Sequence, residues 1–89
     1  MDLRITKQAL KFLEGLDAKP FRQIGLTVFS LLKNPLPHDS QKLSRGDAQR
    51  RVDVGAYRVI YDVKEYAIEI LVIGKRNDDE VYKIFDRMR

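Results

Sequence analysis

Hydrophobic positions recur along this chain with two periods, and the change between them falls near residue 49. Upstream the spacing is helical. Ala9, Leu13 and Leu16 form one stripe within 7–16, and Phe21, Ile24, Val28, Leu31 and Leu32 form another within 18–33. Apolar residues three and four apart share one face of a helix, so both stripes predict core-facing helices. Thr6 is a good N-cap for the first, and Ile5 before it can staple against Leu10. Gly15 weakens the last turn, Asp17 is placed to cap the second helix, and Pro20 sits in a first turn, where it is tolerated. The short link between the two helices predicts an αα-hairpin. Ahead of them, Asp2 to Thr6 alternate apolar and polar, as a short edge strand does.

Asn34-Pro35-Leu36-Pro37 ends the second helix, because each proline disfavours helix in the residue before it. A polar stretch to Ala48 follows, carrying His38, Lys42, Arg45 and Gly46. It either borders a binding groove or is a solvated connector anchored by Leu43. From Gln49 the period is two. Val52 and Val54 alternate with Arg51 and Asp53, then Tyr57, Val59, Tyr61 and Val63 with Arg58, Ile60 and Asp62. In the next segment Ile68, Ile70 and Val72 alternate with Glu69, Leu71 and Ile73. Turns at Gly55-Ala56 and Lys64-Glu65-Tyr66 make this an antiparallel meander, with the third strand, apolar on both faces, at the centre of the sheet. The acidic run Asp78-Asp79-Glu80 suits a helix N-terminus, and Val81, Phe85 and Met88 form the stripe of a short final helix with Tyr82 rotated off it. The fold class is therefore α+β: an N-terminal helical hairpin packed on a small, mainly antiparallel sheet, closed by a short C-terminal helix, all within one domain over 1–89.

Charge sharpens this picture. Among 89 residues, 17 Lys+Arg stand against 13 Asp+Glu, a net +4 that favours an anionic partner, nucleic acid first. The absence of cysteine excludes disulfides and thiolate metal sites, and a single histidine, His38, excludes a histidine cluster or a two-histidine ribonuclease. No apolar run spans a membrane and no signal-peptide pattern opens the chain, so the expected location is cytoplasmic, with no membrane partner. Neither cofactor nor metal is expected.

The excess cations concentrate where chemistry is plausible. Arg51, Arg58, Lys75, Arg76 and Tyr82 fall on or after the meander strands, with Lys42, Arg45 and Arg50 close by in sequence. Guanidinium groups hold phosphate through paired, charge-assisted hydrogen bonds, and several together stabilise charge that develops on a phosphodiester under attack. Cations around a tyrosine favour its phenolate, which makes Tyr82 a candidate general base. The plain alternative is a solvated, salt-bridged strand face with a tyrosine packed at its edge.

The spelling of these residues is similar to that of a known family. Arg51-x-x-Val54-Gly55-x-Tyr57-Arg58-Val59-Ile60-Tyr61, then Gly74-Lys75-Arg76, then Glu80-Val81-Tyr82, resembles the RelE toxins of the RelE/ParE superfamily, and Lys42-Leu43-x-x-Gly46 resembles their Lys-Leu-x-Gly stretch. The likeness covers nearly the whole chain. It implies a RelE-like microbial RNase fold and the toxin of a type II toxin–antitoxin pair. It also implies a ribosome-dependent endonuclease that cleaves mRNA in the A site and is held by a RelB-like antitoxin in a hetero-oligomer. On this likeness Arg58 matches the arginine that contacts the scissile phosphate. Arg76 matches the one that stabilises charge or protonates the leaving oxygen, Tyr82 matches the proposed base, and Arg51 matches a basic position on the first meander strand. Lys42, Arg45, Arg50 and Lys75 are expected to bind RNA. The sequence departs from the pattern at Asp53, where a second basic residue is often found; Lys42, Arg45 or Arg50 can compensate.

Two other functions share this fold and strand motif. One is a ParE-like gyrase inhibitor without chemistry of its own; the other is a catalytically weak relative that binds RNA or antitoxin. Arg76 and Tyr82 argue against the first, and Asp53 keeps the second open.

Overall fold

The computed structural model describes residues 1–44 and 48–88, with Asp78 described by its backbone alone. The elements run β1 (Asp2–Ile5), α1 (Lys7–Glu14), α2 (Ala18–Lys33), β2 (Gln41–Lys42), β3 (Arg50–Val54), β4 (Tyr57–Val63), β5 (Ala67–Lys75), a 3₁₀ turn (Asn77–Asp79) and α3 (Glu80–Met88). The strands make a five-stranded sheet in the order β1-β5-β4-β3-β2. Only β1 pairs in parallel, with β5; the other pairs are antiparallel. The expected α+β fold and its mainly antiparallel sheet are what the chain adopts. Two features differ: β5 is interior but one place from the edge, with β4 in the middle, and a two-residue strand, β2, extends the sheet into the polar stretch.

The sheet is covered on both faces. On one, Ala9 and Leu13 of α1 and Ile24, Val28 and Leu31 of α2 pack against Val52, Val59, Tyr61, Ile68, Ile70 and Ile73. On the other, Val81 and Phe85 of α3 close over Ile60, Val72 and Leu43, so Leu43 does anchor its loop. Burial of these side chains is the main force that holds helices to sheet, at about 25 cal/mol per Å² of apolar surface removed from water. Two residues expected in the stripes, Phe21 and Met88, lie outside the core. Phe21 is 49% exposed and joins Leu26 (64%) and Phe29 (62%) on the outer side of α2, and Met88, in the last turn of α3, is 45% exposed. Phe21 and Met88 continue the helical spacing, but neither belongs to the buried clusters on the two faces of the sheet.

A bulge in β5 explains which strand residues reach which layer. Ile60 pairs with Val72 while Tyr61 pairs with Ile70, which leaves Leu71 as the extra residue. Beyond a bulge the alternation inverts, because one added residue turns every following side chain to the other face. Hence Ile70 and Ile73 both face the helical hairpin, while Val72 faces α3. Strict alternation through this strand, expected from sequence, is thereby corrected. Among the described residues no strand lies beside the outer edge of β5 past Ile70, and the side chains of Thr6 and Gln8 serve instead. Thr6 donates from Oγ1 to the Leu71 carbonyl at 2.6 Å while accepting from the Ala9 N–H at 3.3 Å. Gln8 donates to the Ile73 carbonyl at 3.0 Å and accepts from its N–H at 3.2 Å, as a neighbouring strand residue would. The expected Thr6 cap is thus also a joint between helix and sheet, whereas Leu10 is largely exposed.

Tyr61, fully buried, donates its hydroxyl to the Pro35 carbonyl at 2.9 Å and so ties down the stretch after α2. Among the described residues every buried side-chain nitrogen and oxygen has a hydrogen-bond partner. No described helix is long and apolar enough to cross a membrane.

Candidate functional site

The β3–β4 hairpin sets the geometry of the site. Its turn is Gly55-Ala56, with Gly55 at φ 59°, a left-handed conformation open to glycine at low cost and needed in a primed two-residue turn. The turn pairs Val54 with Tyr57 and therefore places Asp53 opposite Arg58 and Arg51 opposite Ile60. Asp53, Arg58 and Arg51 consequently share the α3 face, beyond the patch that Ile60 and Val72 cover.

Two further contacts close the cluster. The Arg76 N–H donates to the Ala56 carbonyl at 3.0 Å, so the end of β5 is pinned to the turn and the Arg76 side chain lies beside Asp53. Gly74, paired with Arg58, lets α3 sit close: a Cβ built there would stand 2.9 Å from Val81 Cγ1. That approach delivers Tyr82, the residue after Val81, to Arg58.

In the assembled site Arg58 Nε donates to Asp53 Oδ1 at 2.6 Å and Nη2 to Oδ2 at 3.2 Å, a two-pronged ion pair. Arg58 Nη1 donates to Tyr82 Oη at 3.0 Å, and the guanidinium carbon stands 5.5 Å from the centre of the Tyr82 ring. Arg51 Nη1 lies 3.8 Å from Asp53 Oδ1, and Arg76 Nη1 lies 3.8 Å from Oδ2. The Arg51 side chain is held by Gln41 Oε1, which accepts from Nη2 at 2.7 Å. The hydrogen bonds from Arg58, and then the charges of Arg58, Arg51 and Arg76, hold the Asp53 carboxyl below its usual range against the opposite effect of burial. The same bonds raise the Arg58 guanidinium further above its already high value. Of the three clustered arginines Arg58 is the most enclosed, with its side chain 14% exposed against 25% for Arg51 and 54% for Arg76.

Arg51, Arg58, Arg76 and Tyr82 are thus brought together. Of the remaining candidates, Lys42 borders this site, while Arg50 and Lys75 turn away from it. Arg50 is paired with Tyr61 and so turns to the opposite face. There its guanidinium donates to the Ser40 carbonyl at 3.2 Å and to Ser40 Oγ at 2.9 Å, which braces the loop before β2. Lys75, paired with Tyr57, also leaves the arginine face and lines a separate cavity of about 410 Å³ with Ala56, Arg76 and Asn77. Lys42 borders a polar cavity of about 350 Å³ with Gln41, Ser44, Arg51, Asp79 and Tyr82. His38 is exposed. Arg45 and Gly46 lie outside the described residues.

Asp53 is the residue whose place in the cluster the sequence reading did not foresee. The signal was present, since a two-residue turn at 55–56 makes 53 and 58 direct cross-strand neighbours, where opposite charges attract. Gln41 gave no such signal, because β2 has only two residues. Among the described residues no group of His, Cys, Asp and Glu could hold a metal. Chemically, the cluster offers permanent cations and one phenol around a single carboxylate, a set suited to a phosphodiester.

A family model describing the ParE toxin of type II toxin–antitoxin systems, parDE, matches residues 3–80. No match was found among curated proteins. Among solved structures, the archaeal RelE–RelB complex from Pyrococcus horikoshii aligns at 30% identity and a TM-score of 0.76, covering 86% of this chain and 96% of that one. A mutant of the E. coli toxin RelE in the free state aligns at 21% identity and a TM-score of 0.80 over 99% and 97% of the two chains. The YoeB/ParE toxin from Agrobacterium tumefaciens aligns at 17% identity and a TM-score of 0.72 over 85% and 99%. The last two likenesses establish the fold alone.

Proposed function

The chain belongs to the RelE/ParE superfamily of type II toxin–antitoxin toxins, and from that premise we propose that it is a ribosome-dependent endoribonuclease that cuts mRNA in the A site. One observation carries this reading: Arg58 Nη1 donates to Tyr82 Oη at 3.0 Å inside a cluster that also holds Arg51 and Arg76. A gyrase-binding module has no need of a phenol aligned on a guanidinium.

In the proposed reaction the 2′-hydroxyl of the RNA attacks the adjacent phosphorus. Its proton passes to Tyr82 Oη, acting as the base and held in place by the hydrogen bond from Arg58. The 2′-O–P bond forms and the P–O5′ bond breaks, with Arg76 stabilising or protonating the leaving oxygen while Arg51 and Arg58 balance the phosphorane charge. The products are a cyclic phosphate and a free 5′-hydroxyl. DNA lacks the nucleophile and is not a substrate.

The residue types support dependence on the ribosome. Arginine and tyrosine are poor proton-transfer groups at neutral pH, so positioning must supply much of the rate. Holding the 2′-hydroxyl in line with phosphorus is worth roughly 7–11 kcal/mol in favourable cases. A ribosome can impose that geometry on a message, whereas nothing holds free RNA in it.

The solved Pyrococcus horikoshii relative is a RelE–RelB complex, which supports a RelB-like antitoxin as the partner here. The exposed side chains of Phe21, Leu26 and Phe29 on α2 offer apolar area for a partner helix.

Purified protein is incubated with programmed ribosomes carrying a short mRNA and, separately, with the mRNA alone, and cuts are mapped by primer extension. Cleavage in the A site on ribosomes only, abolished by Arg76→Ala, is the expected result. Absence of cleavage in both tubes sinks the reading. The matching family model describes a ParE toxin, so gyrase inhibition is the second reading, and loss of DNA supercoiling by gyrase in the presence of the protein is its signature.

A further inference from the structure

The carboxylate of Asp53 lies where three guanidiniums converge. Its oxygens take the Nε and Nη2 donors of Arg58 at 2.6 and 3.2 Å and lie 3.8 Å from Nη1 of both Arg51 and Arg76. The remaining Arg58 nitrogen, Nη1, is given to Tyr82 Oη at 3.0 Å. All three nitrogens of the most enclosed arginine are therefore engaged within the protein. A phosphate oxygen pair bonds to arginine through the same two-pronged geometry that a carboxylate uses.

We infer that Asp53 is a built-in stand-in for the substrate phosphate: it occupies the seat on Arg58, sets the site's affinity for anions, and leaves the guanidinium when a phosphate binds. This deepens the reading of the cluster as a phosphodiester site and rests on it.

The physical consequences are specific. With Asp53 in place, the three arginines carry one compensating negative charge, and an incoming phosphate must displace it. Exchange of a charged acceptor for a charged acceptor yields little net free energy, so weakly held anions are rejected. A substrate phosphate pressed into the site by other contacts can still take over. Asp53 has somewhere to go, because its side chain is 34% exposed and water can solvate the freed carboxylate.

Inorganic phosphate is the probe, titrated at low ionic strength and followed through the side-chain N–H signals of the arginines by NMR. Wild type should bind it weakly, and Asp53→Asn should bind it about tenfold more tightly or better, since the fork is then without its charged competitor. Arg58→Ala added to Asp53→Asn should remove that gain. In wild type at saturating phosphate, the Asp53 carboxyl carbon and the Arg58 Nε–H should shift together; this measurement needs no variant to fold. Equal or weaker phosphate binding in Asp53→Asn, or an Asp53 signal that ignores phosphate, overturns the inference and leaves Asp53 as a brace for Arg58. Phosphate binding by neither protein overturns it as well. Ribosomal cleavage is read in a separate experiment, so failure of the inference is distinguishable from failure of the reading it rests on.

Discussion

Asp53 and Arg58 face each other across the β3–β4 hairpin, two oxygens to two nitrogens, at 2.6 and 3.2 Å. The pair sits between a turn that sets its register and a helix that brings Tyr82 to its far side.

Acid should weaken the fold through this pair. The folded-state pKa of Asp53 is depressed below its ordinary value of 3.8, so its contribution is fully present above that value and is lost as pH falls through the folded-state pKa. Thermal melts of wild type and Asp53→Asn should differ most at neutral pH, with the gap narrowing on acidification below about pH 4. A gap that stays constant to pH 2.5 contradicts the assignment.

Tyr82→Phe tests the base directly. It should lower cleavage on ribosomes by about 10²–10⁴-fold while leaving the melting temperature within a few degrees. A loss of only two- or three-fold moves the proton acceptor elsewhere. Arg58→Ala and Arg76→Ala should each reduce cleavage too, and neither removes a core side chain.

Gly74→Ala probes the close approach of β5 and α3. The new methyl would meet Val81 Cγ1 at 2.9 Å, and Val81 is fully buried. Overpacking of this kind costs about 1–3 kcal/mol. Because Tyr82 follows Val81, activity should fall by more than stability alone explains, and titration of cleavage against denaturant would separate the two effects.

Gln8→Ala should uncover the bulge. Removal of the carboxamide leaves the N–H and carbonyl of Ile73 without their partner. An unsatisfied, part-buried backbone group costs about 1–3 kcal/mol. The Ile73 amide should also exchange with solvent faster than its neighbours in β5, and unchanged exchange would show that water replaces the side chain at no cost.

The outer side of α2 should tolerate charge where the inner side does not. Phe29→Glu is expected to leave stability within about 0.5 kcal/mol, as exposed substitutions usually do. Ile24→Ala, five residues earlier on the buried side, should cost about 2–5 kcal/mol.

Much of this protein is local in origin, and the amino-acid order alone determined it. Helical stripes around Ala9, Leu13, Ile24 and Val28, the breaks at Gly15 and Asn34-Pro35, and the turn at Gly55-Ala56 are written in short-range periodicity and backbone preference. They placed the elements, and the arginines with them, because side-chain direction follows from the period of each element. What the tertiary structure decided is long-range. The bulge at Leu71 is invisible in a run of β-branched and aliphatic residues, since Ile, Leu and Val fit either face, and it reassigns the second half of β5. Phe21 and Met88 carry the right spacing yet stay exposed, because periodicity states which residues share a face and not where the opposing layer ends. Arg50 and Lys75 sit among the cations in sequence but turn to the other face, one through pairing with Tyr61 and the other through the inverted alternation past Leu71. Finally, the encounter of Arg58 with Tyr82, 24 residues apart, depends on Gly74 admitting α3 to the sheet. No local rule contains that contact, because it arises from the packing of two layers against each other.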